Sequence, residues 1–205
     1  MKLYYAPGAC SIGIHVLLEE IGKPYEAVPV NLREGAQFKP EFTGINPKSK
    51  VPTLVREDGT VQTEYPAIAF WLAATNPEAK LMPATPAGQA RALEAADFCV
   101  ATLHMQGFSR IFRPANYAPT ETDHPAVQAK GEEIFAKGLG LLDRQLAGQE
   151  WIAGDYSFAD SALFYVCFWW KGRLGKELPP NVAAHYARMN ARPAVQRTLK
   201  AEGLA

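Results

Sequence analysis

The chain contains 205 residues, of which 48% are hydrophobic and 20% are charged. This balance is typical of globular domains and unlike disordered, collagen-like or coiled-coil sequences. Its 21 basic and 21 acidic residues cancel to a formal net charge of zero. Because proteins that bind nucleic acids or membrane surfaces usually carry a basic face, this neutrality argues against both kinds of partner. A chain of this length can bury a core as one large domain or as two small ones.

The cysteine content and the hydropathy pattern indicate the compartment. The cysteines Cys10, Cys99 and Cys167 form no CxxC motif and no Cys/His cluster with zinc spacing, which argues against a disulfide scaffold and against a metal site. No apolar run approaches the roughly 18 residues of a transmembrane helix. The first residues also lack the apolar core of a signal peptide. We therefore expect a cytoplasmic protein.

Strand and helix patterns alternate through residues 1–77. Apolar residues with helical spacing follow Ser11, and Gly22 is a typical helix end. An Asp-Gly pair between two β-prone runs predicts a hairpin. The predicted elements are, in order, a strand over Lys2–Tyr5, a helix from Ser11 to Gly22, a strand over 25–30, a short helix near 40–44, hairpin strands over Thr53–Val55 and Val61–Thr63, and a helix over 67–74. This order predicts a small mixed sheet covered by helices.

A cluster of prolines and a glycine over 77–88 predicts a linker at residues 78–86. All later patterns are helical, and the predicted helices cover 87–111, 124–147, 158–174, 180–190 and Pro193–Ala201. The fold class expected from the residues is therefore an α/β domain over 1–77 joined to an all-α domain over 87–205.

Cys10 is the first candidate for chemistry, because it lies where a glycine-containing turn leads from a strand into a helix. The unpaired N–H groups and the positive dipole end of a helix start would stabilise a thiolate there. Gly13 stands where a dithiol oxidoreductase needs its second cysteine, so thiol chemistry at Cys10 must use one thiol or an external one. A buried core cysteine is the alternative interpretation. Tyr5 and Ser11 are alternative hydroxyl donors for the same place.

Two further features could bind a peptide-like ligand. If the bond between Val51 and Pro52 is cis, the backbone of Val51 is presented to an extended peptide, which could pair with it as an added strand; a plain loop proline is the alternative. Glu64 stands between a strand and a helix start, where its carboxylate could bind an α-ammonium group. For Glu64 the alternative is a helix-capping role.

The helical domain contains two patterns of interest. Asp97, His104 and Phe108 are spaced so that an α-helix would place them on one face. Ser157 and Asp160 have the spacing of a capping box just before an apolar helix. The capping box is predicted to be structural, and a hydrogen-bonded core or surface residue is the alternative for the histidine.

Five segments, in order along the whole chain, resemble cytosolic glutathione transferases of the bacterial beta class: MKLYYAPGACS, NPKSKVPTL, TEYPAIAFWL, GDYSFADSALF and ARPAVQRTLKAEG. The resemblance implies a thioredoxin-like N-terminal domain that binds glutathione and a helical C-terminal domain that bounds a site for a hydrophobic co-substrate. It also implies a homodimer, a cis bond at Val51-Pro52, and a family capping box at Ser157 and Asp160.

The resemblance assigns roles to single residues. Cys10 matches the beta-class cysteine that contacts the glutathione sulfur and can form a mixed disulfide with glutathione. Val51 matches the position whose backbone pairs with the cysteinyl part of glutathione, and Glu64 matches the acid that holds the γ-glutamyl ammonium. His104 matches a histidine that the second domain contributes near the thiol, and Asp97 falls where the class often has asparagine.

The sequence also departs from the family pattern. Tyr65 stands where these enzymes usually carry a serine that binds the γ-glutamyl carboxylate, so only its N–H is assigned to this carboxylate. Arg33 and Lys48 are the candidate cations for the remaining charge of glutathione. The candidate liners of the hydrophobic site, chosen on resemblance and apolarity, are Phe108, Phe112 and Trp169.

The expected function is the transfer of the glutathione thiolate to electrophilic carbons of small hydrophobic compounds, as in detoxification. The co-substrate is expected between the first domain and the helix that carries His104. The alternatives are glutathione-dependent thiol–disulfide exchange with Cys10 as nucleophile, a specialised lyase, dehalogenase or etherase on the same fold, and a non-catalytic ligand carrier.

Overall fold

A computed structural model describes all 205 residues, which form two compact units. The first unit contains Met1–Met82 together with Arg188–Ala205, and the second contains Pro83–Ala187. Residues 188–205 were expected in the helical domain, so the structure differs from that boundary. The reason is that the C-terminal helix α9, Pro193–Ala201, packs against helix α1, Ser11–Ile21.

The first unit is built on a four-stranded sheet with the order β2-β1-β3-β4. The strands are β1 (Lys2–Tyr5), β2 (Glu26–Pro29), β3 (Thr53–Val55) and β4 (Val61–Thr63). Strand β1 pairs parallel with β2 and antiparallel with β3, so that the fully buried Leu3 lies opposite Leu54. The predicted hairpin of β3 and β4 is confirmed, with Thr53 opposite Thr63.

Residues 1–82 also contain three α-helices. They are α1, the short α2 (Pro40–Thr43) and α3 (Tyr65–Thr75), which packs against α1. Helix α1 ends where the sequence predicted, because Gly22 adopts the left-handed conformation (φ +71°) and its N–H bonds to the Leu18 carbonyl. The polar segment before α2 forms two 3₁₀ turns, Leu32–Glu34 and Ala36–Phe38.

The second unit is helical, as predicted. Its helices are α4 (Pro86–Asp97), α5 (Ser109–Phe112), α6 (His124–Gln145), α7 (Phe158–Phe168) and α8 (Pro180–Ala191). A π-helical segment over Phe98–Phe108 joins α4 to α5, and a second one over Trp169–Arg173 continues α7. Every residue from Phe158 to Cys167 is buried, so α7 is the central helix of this unit. No helix of the protein is both long and apolar enough to cross a membrane.

The capping box at the start of α7 is confirmed. The Ser157 hydroxyl accepts a hydrogen bond from the Ala159 N–H (3.3 Å), and the Asp160 carboxylate accepts one from the Ser157 N–H (2.8 Å). The same carboxylate also accepts the Ile152 N–H (3.0 Å) and lies 2.9 Å from Nε2 of the buried His185. Asp160 is therefore a structural residue, as its spacing predicted.

The expected placement of Asp97, His104 and Phe108 on one helix face holds for His104 and Phe108, which both contact Trp169, but not for Asp97. That expectation used α-helical spacing, whereas Phe98–Phe108 is π-helical. A π-helix bonds residues i and i+5, so its turns are wider and residues seven apart no longer lie over one another. Accordingly Asp97 is exposed, while His104 is half-buried and Phe108 is buried.

The close approach of α6 to the π-helical segment generates a stability prediction. A Cβ atom at Gly131 of α6 would lie 2.7 Å from the Gly107 carbonyl oxygen and 2.8 Å from Cβ of Arg110. Because backbone cannot retreat as a side chain does, we expect Gly131→Ala to lower the free energy of unfolding by about 1–3 kcal/mol. Urea unfolding followed by circular dichroism measures this change.

The matched control lies on the same helix. A Cβ atom at Gly140 meets nothing within 4 Å, so Gly140→Ala should raise the free energy of unfolding by up to about 1 kcal/mol through helix propensity alone. Equal stability of the Gly131→Ala variant and the wild type would contradict the described packing.

Candidate active site

Cys10 lies at the N-cap of α1, where the turn after β1 enters the helix. Its side chain is half-buried, and its Sγ–H donates to the Val51 carbonyl oxygen over 3.4 Å. The bond between Val51 and Pro52 is cis, as predicted. The structure thus brings together two features that are 41 residues apart in sequence, a single thiol and the backbone before the cis-proline.

The expectation that Cys10 carries a stabilised thiolate is wrong for the unliganded protein. Burial raises the pKa of the Cys10 thiol from its ordinary 9.0 to about 12. The backbone amides of Cys10 and Ser11 and the charge of Lys50 act in the opposite direction but are weaker, and Glu64 adds to the increase. Cys10 is therefore a protonated thiol at neutral pH, and it acts as a hydrogen-bond donor.

The two alternative hydroxyl donors have structural contacts. The Ser11 hydroxyl accepts the Ala6 N–H at 3.1 Å and donates to the Ala6 carbonyl at 3.3 Å, which closes the turn before α1. Tyr5 is buried, and its ring packs 5.2 Å from the ring of His15. Burial, followed by the charge of Glu202, raises the pKa of Tyr5.

Glu202 is a residue of this region that the sequence analysis missed. Its buried carboxylate accepts the Gly8 N–H at 2.8 Å, and its other oxygen lies 2.8 Å from Nδ1 of His15, which is equally buried. Gly8 has a φ of +65°, in the turn that leads to Cys10. Glu202 and His15 are 187 residues apart, and no local sequence signal pairs residues at such a distance.

Glu64 lies between β4 and α3, with an exposed carboxylate. It precedes α3 with a φ of +67°, an uncommon conformation for a side chain other than glycine, and its carboxylate makes no capping hydrogen bond. Glu64 thus occupies the N-cap position of α3, as the alternative interpretation expected, but its side chain does not cap the helix. The exposed carboxylate instead pairs with Nζ of Lys48 at 2.7 Å, and Lys48 also donates to the Thr63 hydroxyl at 2.9 Å.

Two predicted binding residues stand apart from these contacts. Tyr65, the first residue of α3, has a buried side chain, which leaves its backbone N–H at the helix start as the group that the prediction assigned to a ligand. Arg33 is exposed in the first 3₁₀ turn, where Asn31 caps the backbone. No hydrogen bond or ion pair joins Arg33 to Cys10 or Glu64.

The second unit brings the three predicted hydrophobic liners together. The Phe108 ring stacks on Trp169 with centroids 4.3 Å apart and on Phe112 with centroids 5.5 Å apart. Trp169 and Phe108 are buried, whereas Phe112 is 58% exposed. The three rings form a column whose last member is open to solvent, a surface on which a planar apolar molecule can stack.

His104 lies beside this column. Its ring meets Trp169 edge-on, with centroids 4.7 Å apart, and its Nδ1 lies 3.4 Å from the hydroxyl of Tyr165. The sequence analysis missed Tyr165, because this residue lies in an apolar run whose pattern predicts only a buried helix. The protein therefore combines a thioredoxin-like α/β unit, which has one thiol beside a cis-proline, with a helical unit, which carries a histidine and an aromatic column.

Comparisons with known proteins agree with this description. The N-terminal domain model of the glutathione S-transferase family matches residues 8–75, and its C-terminal domain model matches residues 125–188. The chain is 36% identical over 208 residues to the glutathione S-transferase GstA of Escherichia coli O157:H7, with 100% of both chains covered.

Solved structures give the same result. A bacterial beta class glutathione S-transferase of Sphingomonas chungbukensis is 33% identical, with a TM-score of 0.87 and 100% of both chains covered. A glutathione transferase homologue of Sulfitobacter with bound glutathione is 29% identical, with a TM-score of 0.90 and coverage of 100% of this chain and 98% of that one. The chain belongs to the glutathione S-transferase family, and the resemblance to the bacterial beta class is confirmed.

The raised pKa of Cys10 predicts a specific pH dependence of its alkylation. A pKa of about 12 instead of 9.0 leaves about a thousandfold less thiolate at neutral pH. We expect the iodoacetamide reaction of Cys10 in the unliganded protein to be slow at about pH 7 and to accelerate steadily up to about pH 10, without a plateau. Mass spectrometry of labelled peptides measures the rate.

The urea-unfolded protein is the control, because its thiol should regain the ordinary pKa and react much faster at the same pH. A plateau of the folded-state rate near neutral pH would show an ionised Cys10 and would contradict the protonated thiol described above.

Proposed function

We propose that the protein is a glutathione transferase that joins the glutathione sulfur to electrophilic carbons of small hydrophobic compounds. The observation that carries the proposal is the contact of the Cys10 thiol with the Val51 carbonyl beside the cis-proline. It sets a hydrogen-bond donor for sulfur next to backbone that can pair with an extended peptide. Family membership supports the same activity.

Glutathione fits the groups that surround this contact. Its γ-glutamyl ammonium pairs with the Glu64 carboxylate, which Lys48 already holds in position. Its α-carboxylate is received by the Tyr65 N–H at the start of α3, where the helix dipole favours an anion. Its cysteinyl residue pairs with the backbone of Val51. The cations Lys48 and Arg33 balance the carboxylates of glutathione.

The protonation state of Cys10 favours conjugation over thiol–disulfide exchange. A nucleophilic cysteine needs a lowered pKa, whereas burial raises the pKa of Cys10 to about 12. As a protonated thiol, Cys10 donates its S–H to the Val51 carbonyl in the free protein and to the glutathione sulfur when the peptide pairs with Val51. This donation stabilises the glutathione thiolate and so raises its concentration at neutral pH.

The chemical step is a displacement at carbon. The glutathione thiol loses its proton to solvent, the thiolate forms a C–S bond with the electrophile, and the leaving group departs with its electron pair. His104 is proposed as a catalytic residue of the second unit, on the resemblance to the bacterial beta class. The co-substrate stacks on the exposed ring of Phe112, at the end of the column formed with Phe108 and Trp169.

Broad detoxification is the proposed role, because aromatic stacking selects for flat apolar shape and not for one compound. We further propose a homodimer in the cytoplasm. Three unpaired cysteines fit a reducing compartment. A partner copy would cover some of the apolar side chains that are exposed in both units, such as Val61, Phe70, Leu93 and Leu141.

Substitutions at Cys10 test whether its role is donation or nucleophilic attack. If Cys10 donates a hydrogen bond, Cys10→Ser retains a donor and keeps most of the conjugation activity with chlorodinitrobenzene, whereas Cys10→Ala loses about tenfold in kcat/KM. If Cys10 is a nucleophile, both variants lose turnover of a glutathione mixed disulfide, and the wild type prefers that substrate.

Calorimetric titration with glutathione accompanies these assays and should show binding to the wild type and to both Cys10 variants. A wild type that does not bind glutathione at millimolar concentration, or that conjugates no aryl halide, would overturn the proposed function.

Phe112→Ala tests the aromatic column. Loss of the exposed ring should raise KM for an aryl halide about fivefold, because the free energy of one aromatic contact corresponds to about that factor in binding. KM for glutathione should stay unchanged. Leu141→Ala, which removes another exposed apolar side chain of the same unit, is the control and should change neither constant. An unchanged KM in Phe112→Ala would place the co-substrate elsewhere.

A further inference from the structure

We propose that Lys50 supplies the positive charge that stabilises the thiolate of bound glutathione. The inference rests on the proposed function, since it concerns the sulfur that the protein is proposed to activate. It adds an electrostatic contribution to the hydrogen bond from Cys10, and it gives a role to a residue that no motif indicated. All the groups involved belong to the first unit.

A buried asparagine fixes the backbone that carries Lys50. The Nδ2 atom of Asn46 donates to the Lys50 carbonyl and to the Thr53 hydroxyl, both at 2.8 Å, and its Oδ1 accepts the Lys48 N–H at 3.0 Å. The Thr53 hydroxyl in turn donates to the Lys50 carbonyl at 2.9 Å. These contacts use only the backbone of Lys50, so a change of its side chain leaves them in place.

The two lysines of this segment differ in their partners. The ammonium group of Lys48 pairs with the Glu64 carboxylate at 2.7 Å and donates to the Thr63 hydroxyl. Lys50 is exposed, and its ammonium group makes neither a hydrogen bond nor an ion pair. Lys50 therefore has a charge available for a ligand, whereas the charge of Lys48 is already paired with a carboxylate.

The charge of Lys50 acts at the place where the sulfur of glutathione is proposed to bind. Lys50 directly precedes Val51, whose carbonyl oxygen accepts the Cys10 thiol at 3.4 Å. Its charge lowers the pKa of Cys10, although burial outweighs this effect, and the charge of Glu64 acts in the opposite direction. A sulfur bound beside Cys10 thus lies in the field of one cation and one carboxylate.

Binding of glutathione changes the balance between these two charges. In the proposed complex the γ-glutamyl ammonium neutralises Glu64, which leaves the cation of Lys50 unopposed at the sulfur. The glutathione sulfur must also remain open to the electrophile, so it does not bear the burial that keeps Cys10 protonated. A nearby cation then favours the thiolate and lowers the pKa of the glutathione thiol below its ordinary value of about 8.5.

Lys50→Gln removes the charge and retains the backbone contacts. At saturating glutathione, we expect the pH profile of kcat/KM for chlorodinitrobenzene to move to higher pH by about 0.5–1 pH unit, because the glutathione thiol then ionises less readily. Well below the pKa this corresponds to about three- to tenfold lower activity. The difference should vanish at high pH, where the thiol is ionised in both proteins.

Alkylation of Cys10 provides a measurement that needs neither glutathione nor turnover. Because the charge of Lys50 favours the Cys10 thiolate, Lys50→Gln should slow the iodoacetamide reaction of Cys10 in the unliganded protein about three- to tenfold at about pH 9. Both effects should shrink in about 1 M salt, which screens an exposed charge.

Two variants serve as controls. Lys50→Arg keeps the charge and should retain both the wild-type pH profile and the wild-type alkylation rate. Lys39→Gln removes another exposed lysine of the first unit, which precedes α2 and likewise has no side-chain partner. It should change neither measurement.

Three results would overturn the inference: an unchanged pH profile in Lys50→Gln when the wild type conjugates chlorodinitrobenzene, an unchanged rate of Cys10 alkylation in Lys50→Gln, or an equal loss in Lys50→Arg. A wild type that conjugates no aryl halide would overturn the proposed function, and the inference with it. The alkylation rates distinguish this case, because they still report the charge of Lys50 at Cys10.

Discussion

The buried carboxylate of Glu202 determines where the site of the first unit can form. It binds the Gly8 N–H with one oxygen and His15 with the other, both at 2.8 Å. The turn that carries Cys10 is thereby attached to the C-terminal helix α9 and to the core of α1. Because an unpaired buried charge is costly, loss of one partner from such a pair commonly destabilises a protein by about 3–5 kcal/mol. The sulfur contact at Val51 depends on this attachment, since it needs Cys10 at one fixed place.

Two opposing effects set the protonation state of Cys10. A charge at a helix start gains about 0.3–1 kcal/mol from the dipole, whereas the pKa of about 12 against 9.0 corresponds to about 4 kcal/mol. Burial therefore wins at this position. A helix start that would activate an exposed cysteine therefore holds a protonated hydrogen-bond donor at Cys10.

Local signals in the sequence predicted what local chemistry decides. The left-handed Gly22, the hairpin at the Asp-Gly pair and the capping box of Ser157 each involve residues only a few positions apart. Features that depend on tertiary packing could not be predicted from these local signals. Glu202 pairs with a residue 187 positions away, burial of the Cys10 sulfur reverses the effect of its helix position, and the π-helical segment before Ser109 has no sequence motif that predicts it.

The first unit offers polar groups and the second offers aromatic rings. This difference explains how a protein with no net charge can bind a charged peptide. In the first unit, single groups such as Glu64 and the Val51 backbone are the ones proposed to bind defined atoms of glutathione, and a ligand that lacks one of these atoms would leave a polar group unsatisfied. In the second unit, the rings of Phe108, Phe112 and Trp169 offer area without direction. A site of the first kind is selective, whereas a site of the second kind accepts many apolar shapes. The zero net charge argues against polyanionic partners, but it does not identify a small ligand, because recognition of such a ligand depends on a few placed groups.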